Sequence, residues 1–226
     1  MTENSDQYTK EIEKIYYLDP FINESLNWKN NSFYFPGMER MGIYADGSCF
    51  FHAILMAYYV PYRRGRIGNK AINRREMTSE FRKELSRKLS DNVDSNDSSS
   101  PTFYQTISRG QLEDFSSHVP SYSINNMKKE LASSNSVDNV YNEFVSDVLN
   151  KDIYILDVVA KDVYITGKDI DILYKGRPSI VLLYIPGHYE LVGIRDKNDN
   201  LNTLFDPTNP FIQAILRRMK DKIRST

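Results

Sequence analysis

The chain has 226 residues, a formal net charge of −1 and 40% hydrophobic residues. These values predict one globular domain with an ordinary hydrophobic core and argue against a chain that is mainly disordered. The balanced charge argues against a protein whose main role is to coat nucleic acid or anionic lipid. With one cysteine and three histidines, the sequence excludes an internal disulfide and a multi-cysteine zinc site. We therefore expect no metal and no cofactor.

The N-terminal sequence predicts no signal peptide. Its residues are mostly polar and charged, without the basic start and apolar run of a signal peptide. No stretch of the chain approaches the ~18 consecutive apolar residues of a membrane-spanning helix. We expect a soluble, intracellular, cytoplasmic protein with no membrane partner, and a single free thiol fits such a reducing compartment.

Helices are predicted in the first two thirds of the chain. Ile12, Ile15 and Tyr16 recur at helical spacing, which predicts a helical arm over residues 6–27. We place an N-terminal arm at residues 1–36 and a single domain at residues 37–226. The apolar run from Phe50 to Val60 predicts a buried helix that Pro61 ends. Further helices are predicted at residues 76–90, 121–132 and 137–148, and after Asn209-Pro210.

Strands are predicted in the last third. Short β-branched and aromatic runs, separated by turn residues, indicate five strands. They cover residues 153–156, 163–165, 180–185, 189–194 and 201–205. Helices followed by a run of strands indicate an α+β fold with a small central β-sheet packed between helices.

The single cysteine, Cys49, directly follows the tight turn Asp46-Gly47-Ser48 and begins the predicted buried helix. The N-terminus of a helix carries partial positive charge and unpaired N–H groups, which favour a thiolate over a thiol. Backbone N–H groups of the turn can also converge on an oxyanion, and Gly47 has no Cβ to obstruct them. The alternative is that Cys49 is an unreactive thiol in the core.

A cysteine nucleophile needs a histidine that accepts its proton. His52 lies on the helix of Cys49, and we interpret it as a packed helix residue. His118 lies in a polar stretch, and we interpret it as a surface histidine. His188 follows Pro186-Gly187 and opens a predicted strand next to another buried strand. This position holds an imidazole firmly and leaves it reachable, so His188 is the candidate base.

Two motifs resemble those of the ovarian tumour (OTU) cysteine proteases. Residues 44–54, YADGSCFFHAI, resemble the family's Asp-Gly-x-Cys nucleophile motif, and residues 187–192, GHYELV, resemble its histidine-aromatic motif. The cysteine precedes the histidine, as in that family, and the resemblance extends over roughly residues 40–207. The C-G-[SA]-C-[WY] signature of the papain enzymes is absent.

The resemblance implies an OTU-type fold and a thiol-dependent deubiquitinase. Such an enzyme hydrolyses isopeptide or peptide bonds after the C-terminal Gly-Gly of ubiquitin or polyubiquitin, and some members act on ubiquitin-like modifiers. In this sequence Cys49 is implied as the nucleophile and His188 as the base and then the acid. Asp46, Gly47 and Ser48 are implied around the oxyanion. Tyr189 is implied in the wall of a channel that admits only glycine.

The third catalytic residue departs from the family pattern, because Glu190 stands where the family often has Asp or Asn. Residues i and i+2 of a strand share one face, about 6.6–6.8 Å apart, so Glu190 and His188 are expected on the same side. A carboxylate there can orient the imidazole and stabilise its protonated form. The alternative third residue is Asp206, at the end of the next predicted strand.

Two other functions are also compatible with the sequence. One is a catalytically inactive OTU-like module that binds ubiquitin or another partner, although the sequence keeps both the cysteine and the histidine. The other is nucleic-acid binding through the basic residues within 63–75 and 217–224, which could neutralise phosphates. The net charge of −1 and the few aromatics interleaved with these residues argue against nucleic acid as a partner.

Overall fold

The computed structural model describes residues 15–165 and 170–225. Within them a seven-stranded sheet lies between helices, which confirms the predicted α+β class. The helices are α1 Cys49–Tyr58, α2 Val60–Arg64, α3 Arg74–Lys88, α4 Phe103–Thr106, α5 Gln111–Phe115, α6 Ile124–Ala132, α7 Val140–Leu149, α8 Ile170–Leu173 and α9 Pro210–Arg224. The strands are β1 Asn23–Ser25, β2 Met38–Met41, β3 Arg66–Ile67, β4 Lys70–Ala71, β5 Asp152–Asp157, β6 Asp162–Val163, β7 Ser179–Ile185, β8 His188–Arg195 and β9 Leu201–Asn202.

The sheet has the strand order β1-β2-β8-β7-β5-β6, and β9 pairs with β8. Strands β7 and β8 form an antiparallel hairpin in which Ile185 faces His188 across the turn. Strand β5 runs parallel to β7, while β3 and β4 form a separate small hairpin. His188 therefore lies at the start of a central strand, next to the tight turn Pro186-Gly187.

Both faces of the sheet are covered. In β7, Ile180 and Leu182 belong to the core that contains α1, whereas Val181 and Leu183 belong to the core that contains α9. Successive strand residues point to opposite faces. A strand covered on both sides therefore has a continuous apolar sequence, and this explains the predicted run at residues 180–185.

Helix α1 is buried on every side, as its sequence predicts. Nine of its ten residues are buried, and a helix that is apolar all round belongs in a core. Helix α1 ends at Tyr58, before Pro61. Pro61 itself lies in the first turn of the short helix α2, a position that proline tolerates. The N-terminus of α1 presents Cys49 beside the start of β8.

The helix predicted over residues 6–27 is wrong for residues 15–27. These residues form an irregular segment and then β1, which pairs with β2; residues 1–14 lie outside the described residues. Asp19-Pro20 interrupts helical geometry, and Leu18 and Leu26 are buried against the domain. The segment runs so close to Gly42 that a Cβ there would lie 2.1 Å from the Asp19 carbonyl oxygen.

Within residues 15–165 and 170–225, no helix has the length and apolar character needed to cross a membrane.

Candidate active site

Cys49 and His188 line the same cavity. The cavity has a volume of about 270 Å³ and opens beside the N-terminus of α1 and the start of β8. Four of the residues selected from the sequence meet there: Gly47, Cys49, His188 and Tyr189. The remaining lining residues are Phe50, Ser136, Val137, Asp138, Asn139, Ile155, Tyr164, Tyr184 and Gly187.

The turn before Cys49 is closed by its own hydrogen bonds. The Ser48 N–H donates to the Asp46 carboxylate at 2.9 Å, and the Cys49 N–H donates to the Asp46 carbonyl oxygen at 3.1 Å. The Gly47 N–H makes no hydrogen bond to any described residue. A Cβ on Gly47 would lie 2.1 Å from the Ser134 carbonyl oxygen, so only glycine fits this turn. The Gly47 N–H is therefore one donor available to an oxyanion.

Arg82 of α3 supports the same turn from behind, a role that the sequence analysis missed. Its side chain is buried and donates to the Gly47 carbonyl oxygen at 3.0 Å and to the Ser48 hydroxyl at 2.8 Å. It also donates to the carbonyl oxygens of Glu130, Leu131 and Asn135. One guanidinium thus joins the nucleophile turn to α6 and the loop that follows it.

Asp46 lies on the far side of this turn, outside the residues that line the cavity of Cys49. Its second carboxylate oxygen is 3.4 Å from His52 Nε2. His52 is buried and its Nδ1 pairs with the hydroxyls of Tyr62 and Thr78. Burial lowers the pKa of His52, although the Asp46 carboxylate opposes this. His52 is the packed helix residue that the sequence predicts, and His118 is exposed.

The thiol of Cys49 is buried, with 6% of the residue exposed. Burial raises the pKa of this thiol, although the N–H groups of Tyr189 and Phe50 partly offset the rise. The lowered thiol pKa expected at a helix N-terminus is therefore not found. The physical reason is that loss of solvation outweighs the nearby N–H groups, and the Asp46 carboxylate also raises the pKa of this thiol.

His188 is equally enclosed, with 2% of the residue exposed. Burial lowers the pKa of its imidazole to about 4, and the Asp46 carboxylate acts in the opposite direction. Its Nε2 atom has no hydrogen-bond partner among the described residues, and no hydrogen bond joins the imidazole to Cys49 within that part of the chain. At neutral pH the structure therefore places a neutral imidazole near a neutral thiol.

Glu190 is fully buried on the same face of β8 as His188, but it does not bond to it. Its Oε1 accepts the Leu18 N–H at 2.7 Å, and its Oε2 lies 3.6 Å from Arg40 Nη1. Burial raises the pKa of this carboxyl. Asp206, the alternative third residue, is exposed and accepts hydrogen bonds from Thr208. A direct catalytic role for Glu190 stays a prediction.

Tyr189 forms part of the cavity wall. Its ring centroid lies 5.6 Å from that of Phe50 and 5.5 Å from that of Tyr184. Its hydroxyl donates to the Asn139 side-chain oxygen at 3.2 Å, which connects β8 to the start of α7. The cavity thus has an aromatic wall and a polar rim at Asp138 and Asn139.

Comparisons with known proteins give structural neighbours but no match to a family model or to a curated protein. The chain is similar to an OTU domain solved in complex with ubiquitin, with 14% identity, a TM-score of 0.48, and coverage of 83% of this chain and 88% of that chain. It is also similar to the OTU domain of OTUD1, with 18% identity, a TM-score of 0.41, and coverage of 69% of this chain and 85% of that chain. A third similar structure is the viral OTU domain protease from Farallon virus, with 12% identity, a TM-score of 0.35, and coverage of 76% of this chain and 98% of that chain.

Proposed function

We propose that this protein is a thiol-dependent deubiquitinase of the OTU type that hydrolyses bonds after the C-terminal Gly-Gly of ubiquitin. The observation that carries the proposal is that Cys49 and His188, distant in sequence, line one cavity. Ubiquitin as the substrate is supported by the motifs at residues 44–54 and 187–192. The reaction belongs inside the cell, where a thiol stays reduced.

The cavity suits an extended, unbranched peptide end. Its aromatic wall of Phe50, Tyr164, Tyr184 and Tyr189 leaves room for glycine, which has no side chain. The carboxylate of Asp138 on the rim can attract a basic segment that precedes the two glycines. The wall thus selects the shape of the terminal residues, and the rim favours a positively charged tail.

The proposed mechanism assigns a group of this chain to each step of the reaction. His188 accepts the thiol proton as Cys49 Sγ attacks the glycine carbonyl carbon, and the Gly47 N–H donates to the resulting oxyanion. The imidazolium then protonates the departing amine, which leaves a thioester on Cys49. A water molecule, deprotonated by His188, attacks the thioester, and the returning proton restores the thiol as ubiquitin leaves.

The neutral state of both groups fits this sequence of steps. A His188 pKa of about 4 leaves the imidazole free to accept a proton at neutral pH, so the thiol can lose its proton during attack rather than before it. The imidazole Nε2 has no hydrogen-bond partner within residues 15–165 and 170–225. Hydrogen bonds between catalytic groups often form fully only when substrate is bound.

A non-catalytic module that binds ubiquitin is the second candidate, and the missing bond between Cys49 and His188 is the observation that favours it. Nucleic-acid binding has less support, because three of the six basic residues within 63–75 contact their own chain. Arg63 donates to carbonyl oxygens of α1, Arg74 to the Tyr62 carbonyl oxygen, and Arg75 lies 3.5 Å from Asp46.

Steady-state hydrolysis of ubiquitin carrying a fluorescent C-terminal amide tests the proposal. The wild type should turn this substrate over, and Cys49→Ala should lose at least about 10³-fold in kcat/KM because the thiolate is the nucleophile. His188→Ala should lose a similar factor, whereas His118→Ala should match the wild type. Ubiquitin binding without turnover by the folded wild type would favour the non-catalytic module instead.

A further inference from the structure

Residues Tyr16, Tyr17 and Leu18, here called the strap, cross the start of β8. Two buried charged residues bind its backbone. Glu190 accepts the Leu18 N–H at 2.7 Å, and Arg40 donates to the Tyr16 carbonyl oxygen at 3.1 Å. Both anchors are nearly inaccessible to solvent. Hydrogen bonds to buried charged groups are costly to lose, so the path of the strap over β8 is well determined.

The middle residue of the strap lies against the candidate catalytic histidine. The ring centroids of Tyr17 and His188 are 4.5 Å apart, with the planes inclined by 40°. The Tyr17 hydroxyl donates to the Pro186 carbonyl oxygen at 2.7 Å. The ring is thus fixed at both ends, by its backbone through Leu18 and by its hydroxyl to the turn that carries His188.

The strap does not fill the cavity that contains Cys49. None of its three residues is among those that line this cavity, and 45% of Tyr17 is exposed on its outer side. A segment that blocked substrate would have to occupy the space next to the thiol. Tyr17 instead packs against the imidazole from outside the cavity that His188 and Cys49 line.

We propose that Tyr17 is a positioning residue for His188, and that Glu190 acts on this histidine by anchoring the strap. The inference rests on the proposed function and deepens it. An aromatic ring packed against an imidazole restricts its rotation, which matters here because Nε2 has no hydrogen-bond partner among the described residues. The carboxylate two residues after the histidine thus orients it through Leu18 and Tyr17.

Tyr17→Ala and Tyr17→Phe test the proposal, with Tyr34→Ala as the control at another exposed tyrosine. Tyr17→Ala should lower kcat roughly 3- to 10-fold, as expected for loss of one aromatic contact, with KM nearly unchanged. Tyr17→Phe keeps the ring and should retain most of the rate. Tyr34→Ala should behave as the wild type. Unchanged kcat in Tyr17→Ala would overturn the proposal, and faster turnover would show that the strap inhibits.

A readout without ubiquitin separates this proposal from the proposed function. With three histidines in the chain, the His188 imidazole can be followed by NMR as pH changes. In Tyr17→Ala, water should reach the ring and its pKa should rise from about 4 towards the ordinary value of about 6.5. If the wild type fails to hydrolyse ubiquitin but this shift appears together with altered alkylation of Cys49, positioning stands and the assigned substrate does not. No shift would overturn the positioning proposal.

The double variant decides how Glu190 acts. Glu190→Gln keeps an oxygen that accepts the Leu18 N–H but loses the charge that faces Arg40, so it should lose less rate than Glu190→Ala. If Glu190 acts through the strap, Glu190→Ala/Tyr17→Ala should be no slower than the slower single variant. If it bonds to His188 directly during the reaction, the two losses should multiply. Should Glu190→Ala fail to fold, Glu190→Gln/Tyr17→Ala replaces it: a rate equal to that of Tyr17→Ala supports the strap, and a lower rate contradicts it.

Discussion

The turn before Cys49 and the turn before His188 face the same cavity but are held in different ways. The nucleophile turn is closed by Asp46 and supported by Arg82, whose guanidinium binds both Gly47 and Ser48. The histidine turn is contacted from outside by the Tyr17 hydroxyl at Pro186. Hydrogen bonds from several elements therefore fix the cysteine, whereas a packed ring from a distant segment restrains the histidine.

The cysteine turn is therefore expected to be rigid, and the histidine side chain is expected to keep some rotational freedom. A turn with many buried hydrogen bonds keeps the Gly47 N–H and the thiol in constant relative positions, which an oxyanion site requires. An imidazole held by packing can still rotate by a small amount when substrate enters. Variants on the cysteine side should therefore change folding and activity together, and variants on the histidine side should change mainly catalysis and its pH dependence.

The largest expected effect comes from removing the support of the nucleophile turn. Arg82→Met leaves several buried carbonyl oxygens without a donor, and because each buried acceptor left unsatisfied costs about 1–3 kcal/mol, the free energy of unfolding should fall by at least about 3 kcal/mol. We expect this decrease in the free energy of unfolding from urea denaturation, together with loss of hydrolysis. Arg87→Met, at an exposed position of the same helix, should change stability by less than about 0.5 kcal/mol. Equal stability of the Arg82 and Arg87 variants would show that the turn does not depend on Arg82.

The next effect concerns the charge state of the thiol. Because burial raises the pKa of Cys49, its alkylation by iodoacetamide should be slow at pH 6 and should accelerate by about 100-fold up to pH 8, following the thiolate fraction. The single cysteine makes the label unambiguous. A rate that is already at its plateau at pH 6 would instead reveal a thiolate–imidazolium pair in the resting protein.

The buried histidine should also make stability depend on pH. The pKa of His188 is about 4 in the folded protein and about 6.5 in an unfolded chain, so the unfolded state binds the proton first. The free energy of unfolding should therefore fall, by about 2–3 kcal/mol, as the pH falls from about 6.5 to about 4. Because the pKa of His52 is lowered as well, it adds to this dependence in the same direction.

Denaturation curves of His188→Gln and His118→Gln across this pH range isolate the contribution of His188. His188→Gln should show a weaker pH dependence than the wild type. His118→Gln should keep the wild-type dependence, because His118 is exposed. Parallel curves for the wild type and His188→Gln would contradict the assigned pKa.

The smallest effect is expected at Tyr189. Tyr189→Phe removes the hydrogen bond to Asn139 but keeps the ring packed on Phe50 and Tyr184, so it should cost less than about 1 kcal/mol of stability. Its kcat/KM should stay within a few-fold of the wild type. Tyr189→Ala removes the wall itself and should be clearly worse in both measurements. If the two variants lose equally, the hydroxyl rather than the ring is the important group.

The elements with strong periodicity could be predicted from the sequence. Helix α1 and strands β7 and β8 lie where the apolar patterns place them, and this is why Cys49 and His188 come to one cavity. Strand β2 was missed because Met38–Met41 is short and contains the charged pair Glu39-Arg40. Strand β1 was also missed, because it is short and its residues are mostly exposed.

Other features of the site depend on long-range packing. An arginine in a helix is normally expected to face solvent. Arg82 is instead buried together with Thr78, Leu85 and Leu89, and their helical spacing is the sequence signal that could have predicted its burial. No local pattern connects Tyr17 with His188. Nor does sequence show that burial, and not the helix N-terminus, dominates the pKa of Cys49.

Covalent trapping with ubiquitin that carries a C-terminal electrophile tests the central claim most directly. With an alkene or alkyne as the electrophile, to which a thiol adds without a leaving group, we expect an adduct at Cys49 whose mass equals the sum of the protein and the probe. Cys49→Ala should form no adduct, and His118→Ala should give a normal yield. Because His188 is the proposed base that activates the thiol, His188→Ala should react with the probe more slowly. A folded wild-type protein that forms no adduct, or an adduct that persists in Cys49→Ala, would contradict the account.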